Sequence, residues 1–194
     1  MRALTVRQPW AWAIIHGGKD VENRSRSLGP YRGPVAIHAG LMIDDDARWS
    51  LTLRQAWHGA FLPERVEPDA PGFMLPVLRE SYEEDASWLP TGVVIGVVDL
   101  VDVHDDGDCL HRSTRALARL YRTDPDAFHA LPDDGAGGVI GRTRLCSPWA
   151  QGDHHHLVLA NPRPLTEPIP WRGALGMWTV PADLEAAIRE QVTL

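Results

Sequence analysis

Lys19, Glu22 and Arg24 fall close together in the run Gly17-Gly18-Lys19-Asp20-Val21-Glu22-Asn23-Arg24. One carboxylate and two cations in so short a span offer donors and acceptors for a base edge and for a phosphate. Glu22 and Arg24 stand two apart, so on an extended segment their side chains share a face. Lys19 follows Gly18 in a turn, where no period fixes its direction. The same residues would also serve as an internal salt-bridge network. Lys19 is the single lysine of a chain with eighteen arginines. Under that bias a generic cation is written as arginine. A retained ammonium therefore points to a task for a compact charge that loses its proton when desolvated.

Asp99 is the next candidate. In the apolar run Gly92 to Val103 it shares a face with Val93, Ile95, Val97 and Val101. A carboxylate there must be paired, protonated or exposed at a cleft, and a pair with Lys19 is expected. Asp102 falls on the opposite face, nearer the strand's end, where capping or solvation is its role. Trp10 and Trp149 each follow a proline in a polar context. They are candidates for stacking on a base, which contributes about 1–3 kcal/mol per base in single-strand binders. Core packing is the ordinary role of Trp12 and Trp178. Gln8 and His38 could line the same cleft, or act as structural hydrogen-bonding residues. His154, His155 and His156 are consecutive, and on a strand neighbours point to opposite faces, so the three cannot share one metal. Cys109 and Cys146 lie in polar, loop-like surroundings and are not expected to form a metal-ligand pair. No metal and no cofactor is expected, and a reducing compartment fits the cysteine usage.

These residues need elements to hold them. Ala3 to Val6 reads as a strand and Trp10 to His16 as a helix, opened by Pro9 and ended by Gly17-Gly18. Asp20 to Arg24 is extended, and Gly33 to Ala39 is a strand. Asp44-Asp45-Asp46 caps a helix to about His58, and Gly59 to Pro90 is an irregular insertion. Gly92 to Val103 is the strongest strand, apolar on both faces and so buried on both. Ser113 to Tyr121 and Asp124 to Leu131 read as helices. The glycine-rich Gly135 to Gly141 fits no P-loop spacing. His156 to Ala160 and Leu175 to Val180 read as closing strands, flanking a proline-rich connection from Asn161 to Pro170. Pro181 to Gln191 is a terminal helix with Leu184 and Ile188 on one face. Short strands at both ends and a buried one between them predict a closed or nearly closed barrel with helices at its ends.

The bulk properties narrow the function. A length of 194 residues fits one domain with insertions. The net charge of −7 argues against a broad, sequence-independent DNA binder. The charge is uneven. Residues 1–40 hold six basic residues against two acids, and residues 41–90 hold ten acids against four arginines. That pattern predicts an anion-facing surface at the N-terminal end and an acidic insertion that could take a protein partner. No apolar run approaches the ~20 residues of a membrane helix, and the first residues are not a signal peptide. A cytoplasmic protein with no membrane partner is expected.

The signature Gly17-Gly18-Lys19-Asp20-Val21-Glu22-Asn23-Arg24 resembles the Gly-x-Lys-x-x-Glu-x-Arg motif of the ASCH family. Leu4 to Ala11, Tyr31 to Ala39, Gly92 to Leu100, Asn161 to Leu165, and Arg172-Gly173 with Gly176-Met177-Trp178 resemble further family blocks in order. Together they cover about half the chain. The resemblance implies an α+β fold, a PUA-like mixed β-barrel with flanking helices. It would form a single domain over 1–194 with insertions at about 41–90 and 104–146. It also implies a cleft for RNA or a modified nucleoside, with Lys19, Glu22, Arg24, Trp10, Gln8, His38 and Trp149 as binding residues. Some members of the family hydrolyse N4-acetylcytidine, and some are reported to cut RNA. Lys19, Glu22 and Asp99 would be the catalytic residues of such a hydrolase. The amidohydrolase members carry a threonine three residues after the lysine, where this chain has Glu22. A carboxylate can act as a base but does not replace a hydroxyl.

Overall fold

The structure is a computed structural model that describes residues 1–61, 89–126 and 145–193, with backbone alone at 48, 58–61 and 110–118. Most of the expected insertion at Gly59 to Pro90, most of the helix expected at Asp124 to Leu131 and the whole Gly135 to Gly141 run lie outside the described residues. The chain divides into two compact units. The larger comprises Met1–Asp20, Leu28–Val101 and Leu159–Leu194, and the smaller comprises Val21–Ser27 and Asp102–Val158.

Among the described residues the strands are β1 (Arg2–Gln8), β2 (Val21–Arg24), β3 (Gly33–Ile43), β4 (Val93–Asp105), β5 (His155–Pro170) and β6 (Met177–Thr179). The helices among them are α1 (Trp10–His16), α2 (Leu51–Phe61), α3 (Asp106–Thr123) and α4 (Ala182–Gln191), with a 3-10 turn at Asp45–Trp49. The six strands form one mixed sheet in the order β2-β5-β4-β3-β1-β6. β1 runs parallel to β3 and antiparallel to β6, while β3 and β4 are antiparallel. Among the described residues the expected barrel is not formed: β2 and β6 end the strand order. Closure needs every edge paired, and β6 pairs through its three residues with β1 alone among the described strands. Among the described residues, no helix is long and apolar enough to cross a membrane.

In the larger unit, β4 meets the sequence expectation. Val94, Ile95, Val97 and Val98 are all buried, so both faces of the strand are covered. On one face Ala3, Ala36, Val94 and Val97 pack with Leu165, Val180, Leu184 and Ile188, which seats α4 by its apolar stripe. Burial of each such leucine or isoleucine contributes about 1.5–3 kcal/mol. Helix α1 is held by Ile15 against Gly96, where an added Cβ would meet Ile15 Cδ1 at 2.6 Å and the Arg163 carbonyl oxygen at 2.8 Å. Only glycine permits that approach, and through it the sheet fixes the helix that precedes Lys19.

Two boundaries differ from expectation for identifiable reasons. The proline-rich connection is strand: Asn161 to Pro170 continues β5. Pro162, Pro164, Pro168 and Pro170 all occupy even positions, so their missing N–H groups share one side of the strand. β2 pairs with His155 to Val158, short of all four prolines. The helix expected from Asp44 is broken in two. Asp44 Oδ1 accepts from Asp46 N at 3.2 Å to start the 3-10 turn, and Ser50 Oγ accepts from Leu53 N at 3.2 Å to start α2.

Candidate functional site

Lys19 is set in place by the end of α1. The amides of Gly17 and Lys19 both donate to Ala13 O, at 3.0 and 2.9 Å, and Gly18 takes φ +70° between them. That left-handed residue closes the helix and sends the chain on at a fixed angle. The Lys19 side chain is buried, at 4% exposure. Its Nζ lies 5.7 Å from the centroid of the Trp10 ring, within the range of a cation–π contact. Trp10 is oriented in turn, its Nε1 donating to Asp44 Oδ2 at 2.8 Å. The lone ammonium is therefore not in bulk water; it sits against an aromatic face whose angle is fixed from behind.

The other predicted residues of the larger unit are placed elsewhere. Gln8 is fully buried; its Nε2 donates to Pro90 O at 2.9 Å and its Oε1 accepts from Trp12 N at 3.0 Å. It serves the start of α1. Asp99 does not pair with Lys19. Its carboxylate accepts from Asn161 Nδ2 at 2.8 Å and from both terminal nitrogens of Arg163. Those bonds hold its pKa below the ordinary carboxylate value, the Arg163 hydrogen bond first, opposed by partial burial and aided by Asn161. His38 is buried and its Nε2 meets Trp171 O at 2.9 Å, so that nitrogen carries the proton. Its Nδ1 has no hydrogen-bond partner among the described residues, and the ring packs on the backbone of Gly173. His38, Thr5, Trp171, Arg172 and Gly173 line an open groove of about 760 Å³, which does not take in Gln8, Trp10 or Lys19.

In the smaller unit, β2 pairs antiparallel with β5, Val21 to Val158 through Arg24 to His155. The alternation puts Glu22 and Arg24 on one face, and Arg24 Nη2 lies 3.0 Å from Glu22 Oε1. Glu22 is 8% exposed, so its charge is matched where water is scarce. Asn23, pointing the other way, donates through Nδ2 to Trp149 O at 2.8 Å and accepts at Oδ1 from Gln151 N at 3.0 Å. The motif thus anchors the backbone that carries Trp149. Lys19 belongs to the larger unit, and Glu22, Arg24 and Trp149 to the smaller.

The smaller unit also holds a cluster that the sequence reading missed. His104, Cys109, Cys146 and His156 bring their donor atoms within 4.8 Å of one another. Cys109 and Cys146, expected to form no metal-ligand pair, lie together in it. They are 37 residues apart in the chain, yet Cys146 N donates to Cys109 Sγ at 2.8 Å. Of the three consecutive histidines only His156 takes part. The signal open to sequence was a pair of His/Cys couples, His104 with Cys109 and Cys146 with His156, at the two ends of one expected insertion.

A family model for the ASCH domain matches residues 4–168. Two solved structures are similar to the chain at 12% identity. The crystal structure of ASCH from Zymomonas mobilis has a TM-score of 0.44, with 97% of this chain and 93% of that chain covered. A point mutant of the Zymomonas mobilis protein has a TM-score of 0.43, with 97% and 96% covered. No curated protein matches the chain significantly. The family model spans the signature, the central strand β4 and nearly all of β5, well over half of the sequence, and by that match the chain belongs to the ASCH domain family.

Proposed function

We propose that the chain binds RNA, or a modified nucleoside derived from it, with Lys19 and Trp10 of the larger unit as binding residues. The observation that carries this reading is the Lys19 ammonium, buried against the Trp10 ring. An ammonium on an aromatic face supplies one fixed donor for a phosphate or base oxygen and one surface for stacking. Glu22 of the smaller unit, paired with Arg24, is an acceptor suited to an exocyclic amine. The ASCH family is generally thought to bind RNA, which supports the same reading. Asp99, tied to Arg163 and Asn161, supports the strand.

The test is incubation of the full chain with acetylated, methylated and unmodified nucleosides and with short RNA, read by mass spectrometry and by titration at two salt concentrations. Saturable binding that weakens with salt, without mass change, is the expected result. A mass change in one nucleoside, or cleavage of the RNA, replaces the reading with that of a hydrolase. Absence of saturable binding to every member of the panel removes it.

A further inference from the structure

We propose that His104, Cys109, Cys146 and His156 bind a zinc ion in a closed, structural site within the smaller unit. Two sulfurs and two imidazole nitrogens form a donor set suited to four-coordinate zinc, whereas calcium and magnesium prefer oxygen ligands. With zinc bonds of about 2.3 Å to sulfur and 2.0–2.1 Å to nitrogen, neighbouring ligand atoms stand roughly 3.4–3.8 Å apart. Cys146 Sγ and His156 Nδ1 are 3.5 Å apart, and all four ligand atoms lie within 4.8 Å of one another. Only small adjustments separate this arrangement from tetrahedral bonding.

The surroundings of the two imidazoles point the same way. His104 Nδ1 is bonded to Asp102 Oδ2 at 2.9 Å, which leaves Nε2 as the lone-pair nitrogen. That Nε2 is buried and has no hydrogen-bond partner among the described residues, on a side chain only 4% exposed. His156 is fully buried and its Nε2 donates to Gln151 O at 2.7 Å, which turns Nδ1 toward Cys146. Metal-binding histidines are held in this way, one nitrogen fixed by a carboxylate or carbonyl and the other given to the ion. The two rings meet edge to face, with centroids 5.4 Å apart. The amide of Cys146 donates to Cys109 Sγ, as suits a thiolate. Cys109 is buried and Cys146 lies at the surface, which gives the ion a way in.

Two rival readings leave part of this geometry without a cause. A Cys109–Cys146 disulfide accounts for neither imidazole. A reactive pair of Cys146 and His156 accounts for neither Cys109 nor the Asp102–His104 bond. Zinc would join the end of β4, the first turn of α3, the segment at Cys146 and the start of β5.

The experiment uses the full chain, purified under reducing conditions from zinc-supplemented culture. About one zinc per chain is expected, with a Tm that falls on chelation and recovers with zinc. Cobalt(II) in place of zinc is expected to give the intense visible bands of a four-coordinate site with sulfur-to-cobalt charge transfer. Cys109→Ser and His104→Ala are each expected to weaken metal retention at least ~10-fold. Should either fail to fold, Asp102→Asn, which touches a ligand and not the ion, is measured by competition with a chromophoric chelator. Its affinity is expected to drop about 10–100-fold. The proposal is overturned by wild-type chain without stoichiometric metal and with a weak, six-coordinate cobalt spectrum. It is also overturned by equal retention in Cys109→Ser, by an Asp102→Asn affinity equal to wild type, by a Cys109–Cys146 disulfide in the reduced preparation, or by a different ion held by the four ligands.

Discussion

Arg163 grips Asp99 with both ends of its guanidinium, Nη2 on Oδ1 and Nη1 on Oδ2 at 3.3 Å. The pair joins the central strand β4 to the proline-rich length of β5. A fork of this kind fixes angle as well as distance, and Asn161 Nδ2 adds a third bond at 2.8 Å. Because these contacts favour the ionised form, the Asp99 pKa in the folded chain lies below its ordinary value.

That depression has a defined consequence for stability against pH. A carboxyl whose pKa is lowered by folding stabilises the fold above the unfolded value, about pH 4, and the contribution is lost as pH falls through the lower folded value. Asp99→Asn is expected to cost about 1 kcal/mol at neutral pH, the pair being only partly buried. The difference from wild type should shrink from about pH 4 downward and vanish in strong acid. Urea unfolding of both proteins from neutral to acid pH measures it. A pH-independent difference would show that the ion pair contributes nothing.

The end of α1 gives a second prediction, built on two adjacent glycines with different constraints. A Cβ at Gly17 would lie 2.9 Å from Trp12 Cζ3 and 3.0 Å from the Ala13 Cα, whereas at Gly18 nothing stands within 4 Å and only φ +70° opposes a side chain. Gly17→Ala must push against packed ring and backbone and is expected to cost about 1–3 kcal/mol. Gly18→Ala suffers only left-handed strain, roughly 1–2 kcal/mol. The distinguishing observation is the Trp12 environment, read by near-ultraviolet circular dichroism. It should change in Gly17→Ala and stay fixed in Gly18→Ala.

Local features were legible in the sequence, while partner choice was not. The helix ending at Gly17-Gly18, the shared face of Glu22 and Arg24, and the two-sided burial of β4 follow from periods and turn chemistry that act within a few residues. Asp99 was recognised as a carboxylate needing a partner, but the residue that meets it is 64 positions away, and no local rule separates Arg163 from Lys19. The strand character of Asn161 to Pro170 was hidden because proline was read as a break. The even spacing of the four prolines, which confines their missing donors to one side, was the overlooked signal. Cys109 and Cys146 escaped for the same reason as Arg163: they meet across 37 residues of chain.

Asn23 offers a third prediction, because its amide is used at both ends. Removing the side chain in Asn23→Ala loses the bonds to Trp149 O and from Gln151 N, and is expected to cost about 1–2 kcal/mol. Asn23→Asp keeps an acceptor for the Gln151 amide but sets a carboxylate against the Trp149 carbonyl. Its stability should therefore fall as pH rises through about 4 and the carboxyl ionises. Hydrogen exchange at the Gln151 amide is expected to quicken in Asn23→Ala and to remain slower in Asn23→Asp at low pH. Equal exchange in all three proteins would show that Asn23 does not hold this segment.

Trp10 and Lys19 make contributions to RNA binding that salt can separate. Stacking on a neutral ring releases no counterions, while an ammonium on a phosphate does. Trp10→Ala is expected to weaken short-RNA binding by about 1–3 kcal/mol, roughly 5- to 150-fold, with the slope of log K against log salt unchanged. Trp10→Phe loses the Nε1 bond to Asp44 but keeps an aromatic face for the ammonium, so it should lose less. Lys19→Met removes the charge and should reduce that slope by about 1 as well as lowering affinity. Circular dichroism of each variant checks that the fold survives before the titrations are compared. If Trp10→Ala flattens the salt dependence as much as Lys19→Met does, the ring serves only to place the ammonium, and Trp10 is not a stacking surface for a base.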